Sequence, residues 1–260
     1  MDEAKVFAWL LDSDPSIRWQ VLRDLTNASE EEVARERAKI AIQGWGARLL
    51  ACQDNSGRWG SELYIHKWLS TTYTLLQLRQ MGLEPGHPQA LRGCKELLEG
   101  SYRPNGSVSF GKIPDKVDIA VVGMTLALLA YFSYPDERIH PLATYLLAQQ
   151  ASDGRWEPVA GNTQLKYTFA GTLCVLDGLH EYEKRFPGQA AYAIQAQKKG
   201  REFLLEHRLY QDRQTGQPID RKMLLFSFPP RWFYDALTAL DYFRECRAGR
   251  DDRLQMPSIG

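Results

Sequence analysis

The chain has 260 residues, 44% of them hydrophobic and 25% charged, with 32 Lys plus Arg against 32 Asp plus Glu. This is an ordinary globular composition, and the charge balance argues against the basic footprint of a nucleic-acid binder. Cys52, Cys94, Cys174 and Cys246 are scattered without a C-x-x-C pair; this argues against a zinc knuckle or a disulfide framework and for a reducing, cytoplasmic setting.

Residues 3–11 read as a short helix. Asp14-Pro15-Ser16 starts the next, with Pro early and Ile17, Val21, Leu22 and Leu25 at helical spacing. A charged helix from about Glu30 to Ile40 follows within a helical cap over residues 1–44, and another, about Trp45 to Cys52, runs into the first repeated turn. From 45 to 245 two helix sets alternate. Inner helices are expected over Ser70–Met81, Asp118–Phe132, Thr168–His180 and Phe233–Arg244. Outer ones are expected over His87–Leu98, Asp136–Gln149 and about Gln189–Glu206. Gly82, Pro135 and Pro187-Gly188 punctuate them. Only Ser107–Phe110 suggests a strand. Ile119–Tyr134 carries no charge, but its 16 residues fall short of the ~20 needed to cross a bilayer, so it reads as a buried helix and no membrane span is expected. No secretory h-region follows Met1-Asp-Glu-Ala-Lys5. Residues 246–260 form a polar tail. The last inner helix therefore lacks an outer partner, and Leu237, Leu240 and Phe243 are expected to need cover from a second subunit, as a homodimer through the open C-terminal edge, or from the N-terminal cap closing a ring.

The alternation has a period. Gln53-x-x-x-Gly57-Arg58-Trp59 and Gln150-x-x-x-Gly154-Arg155-Trp156 share one spacing, 97 residues apart. Each follows a Leu pair that ends a helix; Gly supplies the left-handed closing residue and Trp an apolar cover. Leu97-Leu98 leads into a degraded copy, Asn105-Gly106-Ser107-Val108, with Val for Trp and one residue inserted. A fourth runs through a longer turn to Gly216. The second Leu of each pair falls at 50, 98, 147 and 205, in steps of 48, 49 and 58. A basic residue precedes each inner helix, at Lys67, Lys116, Lys166 and Arg231, in steps of 49, 50 and 65. Two helices per unit at this period predict an all-α repeat architecture folded as one domain.

The Q-x-x-x-G-x-W phrase resembles the QW motif of terpenoid cyclases such as squalene–hopene cyclase, whose α/α toroid is shared with protein prenyltransferase β-subunits. The whole chain is similar to small bacterial prenyltransferase/squalene-oxidase-repeat proteins. The resemblance implies a two-layer α/α toroid, incomplete or open here, whose inner helices surround an apolar cavity. Pro114-Asp115-Lys116-Val117-Asp118-Ile119-Ala120 resembles the D-x-D-D-T-A motif of class II terpene cyclases. Asp115 and Asp118 match its outer acids and are the candidate catalytic residues, but Val117 stands where the proton donor belongs and cannot donate. Asp118 also suits a helix N-cap. The prenyltransferase comparison implies a zinc held by Asp, Cys and His; Asp235 with Cys246, or Cys174 with His180, have the wrong spacing, so no metal and no cofactor is expected.

Aromatic residues follow the basic column, at Trp68, Tyr167 and Trp232. In a toroid the four cations would ring one mouth of the cavity, at helix N-termini suited to an anionic group, with the aromatics gripping an isoprenoid chain. The ligand-binding candidates are therefore Lys67, Trp68, Tyr73, Lys116, Lys166, Tyr167, Arg231, Trp232 and Tyr234, with Phe169 and Phe233 as further linings; the same residues also suit ordinary core packing and solvated repeat positions. The expected function is that of a cyclase- or prenyltransferase-like protein holding an apolar small molecule, with its reaction open because the acid is missing. A protein-binding helical-repeat scaffold and a carbohydrate-active toroid are the alternatives.

Overall fold

The computed structural model describes residues 2–110, 117–158, 164–226 and 234–255. Its regular structure is helical: among the described residues, strand-like pairing is limited to isolated bridges. The Ser107–Phe110 expectation reduces to one of these, Tyr102 with Val108. The chain divides into two compact units, Met1–Gly100 with Phe132–Tyr134, and Ser101–Tyr131 with Pro135–Gly260.

The first unit holds α1 (Glu3–Leu11), α2 (Pro15–Leu25), α3 (Glu30–Ala38), α4 (Gly44–Ala51), α5 (Thr71–Met81) and most of α6 (Pro88–Ser101). Asp14 starts two of them. Its Oδ1 accepts from the Ser16 amide at 2.9 Å and its Oδ2 from the Trp45 amide at 2.8 Å, so one carboxylate satisfies orphan donors at the starts of both α2 and α4. Trp19 of α2 locks onto the far end of α5: its Nε1 donates to Met81 O at 2.7 Å, and Arg23 and Arg37 lie 4.5 and 5.2 Å from its ring. Gly82 closes α5 with φ +91°, and a Cβ there would stand 2.3 Å from that ring, so both its conformation and its neighbour require glycine.

The second unit holds α7 (Ile119–Tyr131), α8 (Ile139–Ala148), α9 (Leu165–Arg185), α10 (Ala191–Glu206) and α11 (Ala236–Glu245). Eleven of α7's thirteen residues are buried, as a helix apolar all round requires. Here α7 and α9 pack as one layer, with α8 on α7 and α10 on α9 as a second. The α7–α9 approach depends on Gly123 and Gly178: a Cβ at either would lie 2.5–2.6 Å from backbone of the other helix. Helix α9 outruns its expected end by five residues, reaching Arg185, whose Nη1 donates to Leu129 O near the end of α7 at 2.9 Å. Helix α8 begins three residues later than expected because Asp136 is drawn into a turn with Arg138. At the chain's end Phe243 is only 3% exposed within the single chain, although Leu237 stays 51% exposed. The polar tail folds back, and Arg253 pairs with Glu202 of α10.

Candidate functional site

The repeated turns organise what surrounds them. At both Trp-bearing turns the glycine is left-handed, Gly57 at φ +89° and Gly154 at +92°. The Gln side chain reaches across its own turn and onward to the second helix after it, α6 or α10. Gln53 Nε2 donates to Gly57 O at 2.9 Å and Gln89 O at 2.8 Å; Gln150 Nε2 donates to Gly154 O and Ala196 O, both at 2.9 Å. Each Trp Nε1 donates back to the preceding helix, at Leu49 O and Leu146 O, both at 2.7 Å. Each Trp amide donates to a threonine on the next helix, Thr71 of α5 or Thr172 of α9, both at 3.1 Å. Under each indole lies a glycine of the second helix after the turn, Gly93 of α6 or Gly200 of α10, where a Cβ would stand 2.8 Å from the ring. The phrase is therefore a staple joining three helices.

The third turn keeps the backbone and changes the staple. Gly106 is left-handed at +81°, and the Arg103 amide donates to Ser107 O at 2.9 Å, as Asp54 does to Arg58 O and Ala151 to Arg155 O. Tyr102 thus stands in the Gln column and Val108 in the Trp column, with no residue inserted in the turn; the Leu pair is what shifts register. The fourth turn carries the insertion. The Asp212 amide donates to Gln217 O, five residues on rather than four, and Pro218 stands in the Trp column.

The residues leading into α5 are the most unusual in the first unit. Ser61, His66 and Trp68 take left-handed φ of +60°, +58° and +80°, each strained by about 1–3 kcal/mol for a residue with a Cβ. Tyr64, Trp68 and Tyr73 gather there: the Tyr64 and Tyr73 rings are 5.6 Å apart, Trp68 meets Tyr73 edge-on at 5.0 Å, and the two hydroxyls lie 3.4 Å apart. Tyr73 is buried, Trp68 is 36% exposed, and Lys67, just before Trp68, is exposed. The amides and hydroxyls of Thr71 and Thr72 donate to Glu62 O and Leu63 O, so α5's leading donors are already taken.

Helices α7 and α11 also begin with acceptors of their own. Asp118 Oδ1 accepts from the Ala120 amide at 3.0 Å and its carbonyl from Val121 and Val122, which makes it the N-cap of α7; Val117, in the proton donor's place, precedes it. Asp235 caps α11 through the Thr238 amide and hydroxyl, both at 2.7 Å. At α9, Lys166 Nζ lies 3.5 Å from Asp220 Oδ2 and 5.3 Å from the Tyr167 ring centroid. The Lys222 amide and the Lys166 ammonium hold the Asp220 carboxyl below the usual carboxylate range. Tyr234 is buried, packs its ring 5.3 Å from Phe169 and donates its hydroxyl to Leu209 O at 2.7 Å. Burial, with the Asp235 carboxylate, raises its phenol well above the ordinary tyrosine value. Asp115, Lys116, Arg231, Trp232 and Phe233 lie outside the described residues.

Among the described residues no three His, Cys, Asp or Glu side chains gather to hold a metal. Burial lowers the pKa of His180, whose ring lies 6.1 Å from Tyr242. Sequence reading missed the polar linkage beside it: fully buried Gln197 of α10 donates to Glu183 at 2.7 Å and accepts from Tyr242 of α11 at 3.2 Å. These partners are 14 and 45 residues apart, and nothing local marks them. Compared with family models, with curated proteins and with solved structures, the chain finds no match in any of the three.

Proposed function

We propose that this chain is a cyclase- or prenyltransferase-like α/α-toroid protein that binds an uncharged isoprenoid-type ligand through the Tyr64–Trp68–Tyr73 cluster. The carrying observation is that trio of rings at the start of α5, with Trp68 set out on a left-handed backbone. Strain of this kind persists where surrounding structure over-determines it, and it clusters at ligand clamps. Offset and edge-on aromatic faces suit a flexible polyene chain. Two features favour a neutral ligand over a diphosphate. The leading amides of α5 are bonded to carbonyls, and α7 and α11 begin with the carboxylates Asp118 and Asp235, which repel an anion at those ends. With Val117 in the donor's position and Asp118 serving as a cap, proton-initiated cyclisation by the D-x-D-D route is no part of the proposal.

The test is equilibrium binding of geranylgeraniol, squalene and geranylgeranyl diphosphate to the full chain, beside native mass spectrometry of protein purified from its own host. The alcohol or the hydrocarbon is expected to bind in preference to the diphosphate. Trp68→Ala is expected to weaken binding by about 10- to 100-fold, the loss of about 1.5–3 kcal/mol of apolar burial. A protein that co-purifies with no lipid and ignores all three compounds overturns the proposal in favour of a helical-repeat scaffold.

A further inference from the structure

We propose that residues 65–69 dock on the surface of a lipid bilayer. Ile65, His66, Lys67, Trp68 and Leu69 are five consecutive exposed residues. Ile65 is 54% and Leu69 69% exposed, with Trp68 between them at 36%. Single exposed apolar residues are commonplace, whereas three in five positions on one tight loop are not. The loop is held in that form. The Leu69 amide donates to His66 O at 3.1 Å, the Ser70 hydroxyl to Tyr64 O at 3.3 Å, and His66 and Trp68 are left-handed.

The composition matches the layers of a membrane surface. Ile and Leu enter the acyl boundary, Trp takes the headgroup level, and Lys67 meets lipid phosphate. No Asp or Glu occurs from Leu63 to Tyr73 to oppose an anionic surface. A stable protein interface needs about 800 Å² from each partner, more than five residues supply, whereas a bilayer asks only for a short wedge. The docking shares Trp68 with the isoprenoid reading, but it is tested apart from it because Ile65 and Leu69 are outside the Tyr64–Trp68–Tyr73 cluster.

The test is flotation of the full chain with vesicles of phosphatidylcholine alone and of phosphatidylcholine mixed with phosphatidylglycerol. The natural protein is expected to float with the mixed vesicles. Raising the salt should weaken that partition about fivefold, the share of one lysine at an anionic surface. The double variant Ile65→Ser/Leu69→Ser is expected to lose at least about tenfold in partition at an unchanged melting temperature; if the melting temperature moves, Leu69→Ser alone is expected to lose about half that change on a logarithmic scale. Natural protein left in the lipid-free fraction, a double variant that floats equally well, or self-association through these residues in place of flotation each overturns the proposal.

Discussion

The second and third turns make the same backbone loop from different side chains. At residues 150–156 an indole covers a glycine, and a Gln amide reaches Ala196 O, 46 residues on. At residues 102–108 the positions are held by Val108 and Tyr102. Counted from the turn glycines, Leu142 of α8 takes the place that Gly93 holds in the first copy, and Leu142 is fully buried. Large-over-small has become medium-over-medium. In the Gln column, Tyr102 meets Arg138 at 5.5 Å, again 36 residues on, as Gln53 meets Gln89. The left-handed glycine and its closing hydrogen bond define the repeat; Gln and Trp are one of two ways to fasten it to a later helix.

The sharpest way to break this comparison is to truncate the covers. Trp156→Ala removes a fully buried indole and its bond to Leu146 O, leaving a cavity over Gly200 that the helix backbone cannot fill. The expected loss is about 3–5 kcal/mol. Val108→Ala removes two methyl groups from an equally buried position and is expected to lose about 2 kcal/mol. Urea unfolding of both variants measures the difference, and equal losses would mean that the indole is incidental to the staple.

The glycines test the shared part. An alanine at Gly154 must take φ +92° and put its Cβ 2.3 Å from Lys199 O. Left-handed strain and a backbone collision together are expected to cost about 2–4 kcal/mol. Gly216, at φ +68°, has nothing within 4 Å of a Cβ, so Gly216→Ala bears only the conformational cost, about 1 kcal/mol. Thermal or urea midpoints of the pair separate close packing from backbone conformation.

These contrasts also show what the sequence made legible. Helix order followed from apolar runs and Gly/Pro punctuation, because both are local. The Q-x-x-x-G-R-W spacing predicted a turn closing a helix, since Gly57 and Gly154 lie next to what they close. The third copy has no residue inserted in its turn, and the Leu pair is a poor ruler for it. The pair sits on a helix that can lengthen by a residue, as α6 does in reaching Ser101, whereas the turn cannot. The same limit applied at the candidate site. The basic column was visible as spacing, but Asp220 opposite Lys166, the Glu62 carbonyl under Thr71 and the Leu209 carbonyl that takes the Tyr234 hydroxyl are set by tertiary packing. Trp19 over Gly82, 63 positions apart in the chain, has no local signal at all.

The smallest effect separates the first turn from the second. Asp54 of the first turn accepts from the Ser56 amide and hydroxyl at 2.9 and 2.6 Å and from the Arg58 amide at 3.1 Å. The Ser56 hydroxyl, then the Arg58 amide, hold its carboxyl below the usual aspartate value of 3.8. The second turn has Ala151 at that position. A carboxyl depressed in the folded state stabilises fully above its unfolded pKa, about 3.9, and loses that contribution as the pH falls through the folded value. Asp54→Asn is therefore expected to lower the urea midpoint slightly at neutral pH and to leave it unchanged well below the folded pKa. Asp153 stands in the second turn where the first has Ser56, so Ala151→Asp alone meets a carboxylate instead of a hydroxyl donor and should bring less; Ala151→Asp with Asp153→Ser is expected to bring the same acid-sensitive increment. If Asp54→Asn lowers the midpoint equally at neutral and acid pH, the side chain acts through shape rather than charge, and the two turns differ by less than their hydrogen bonds suggest.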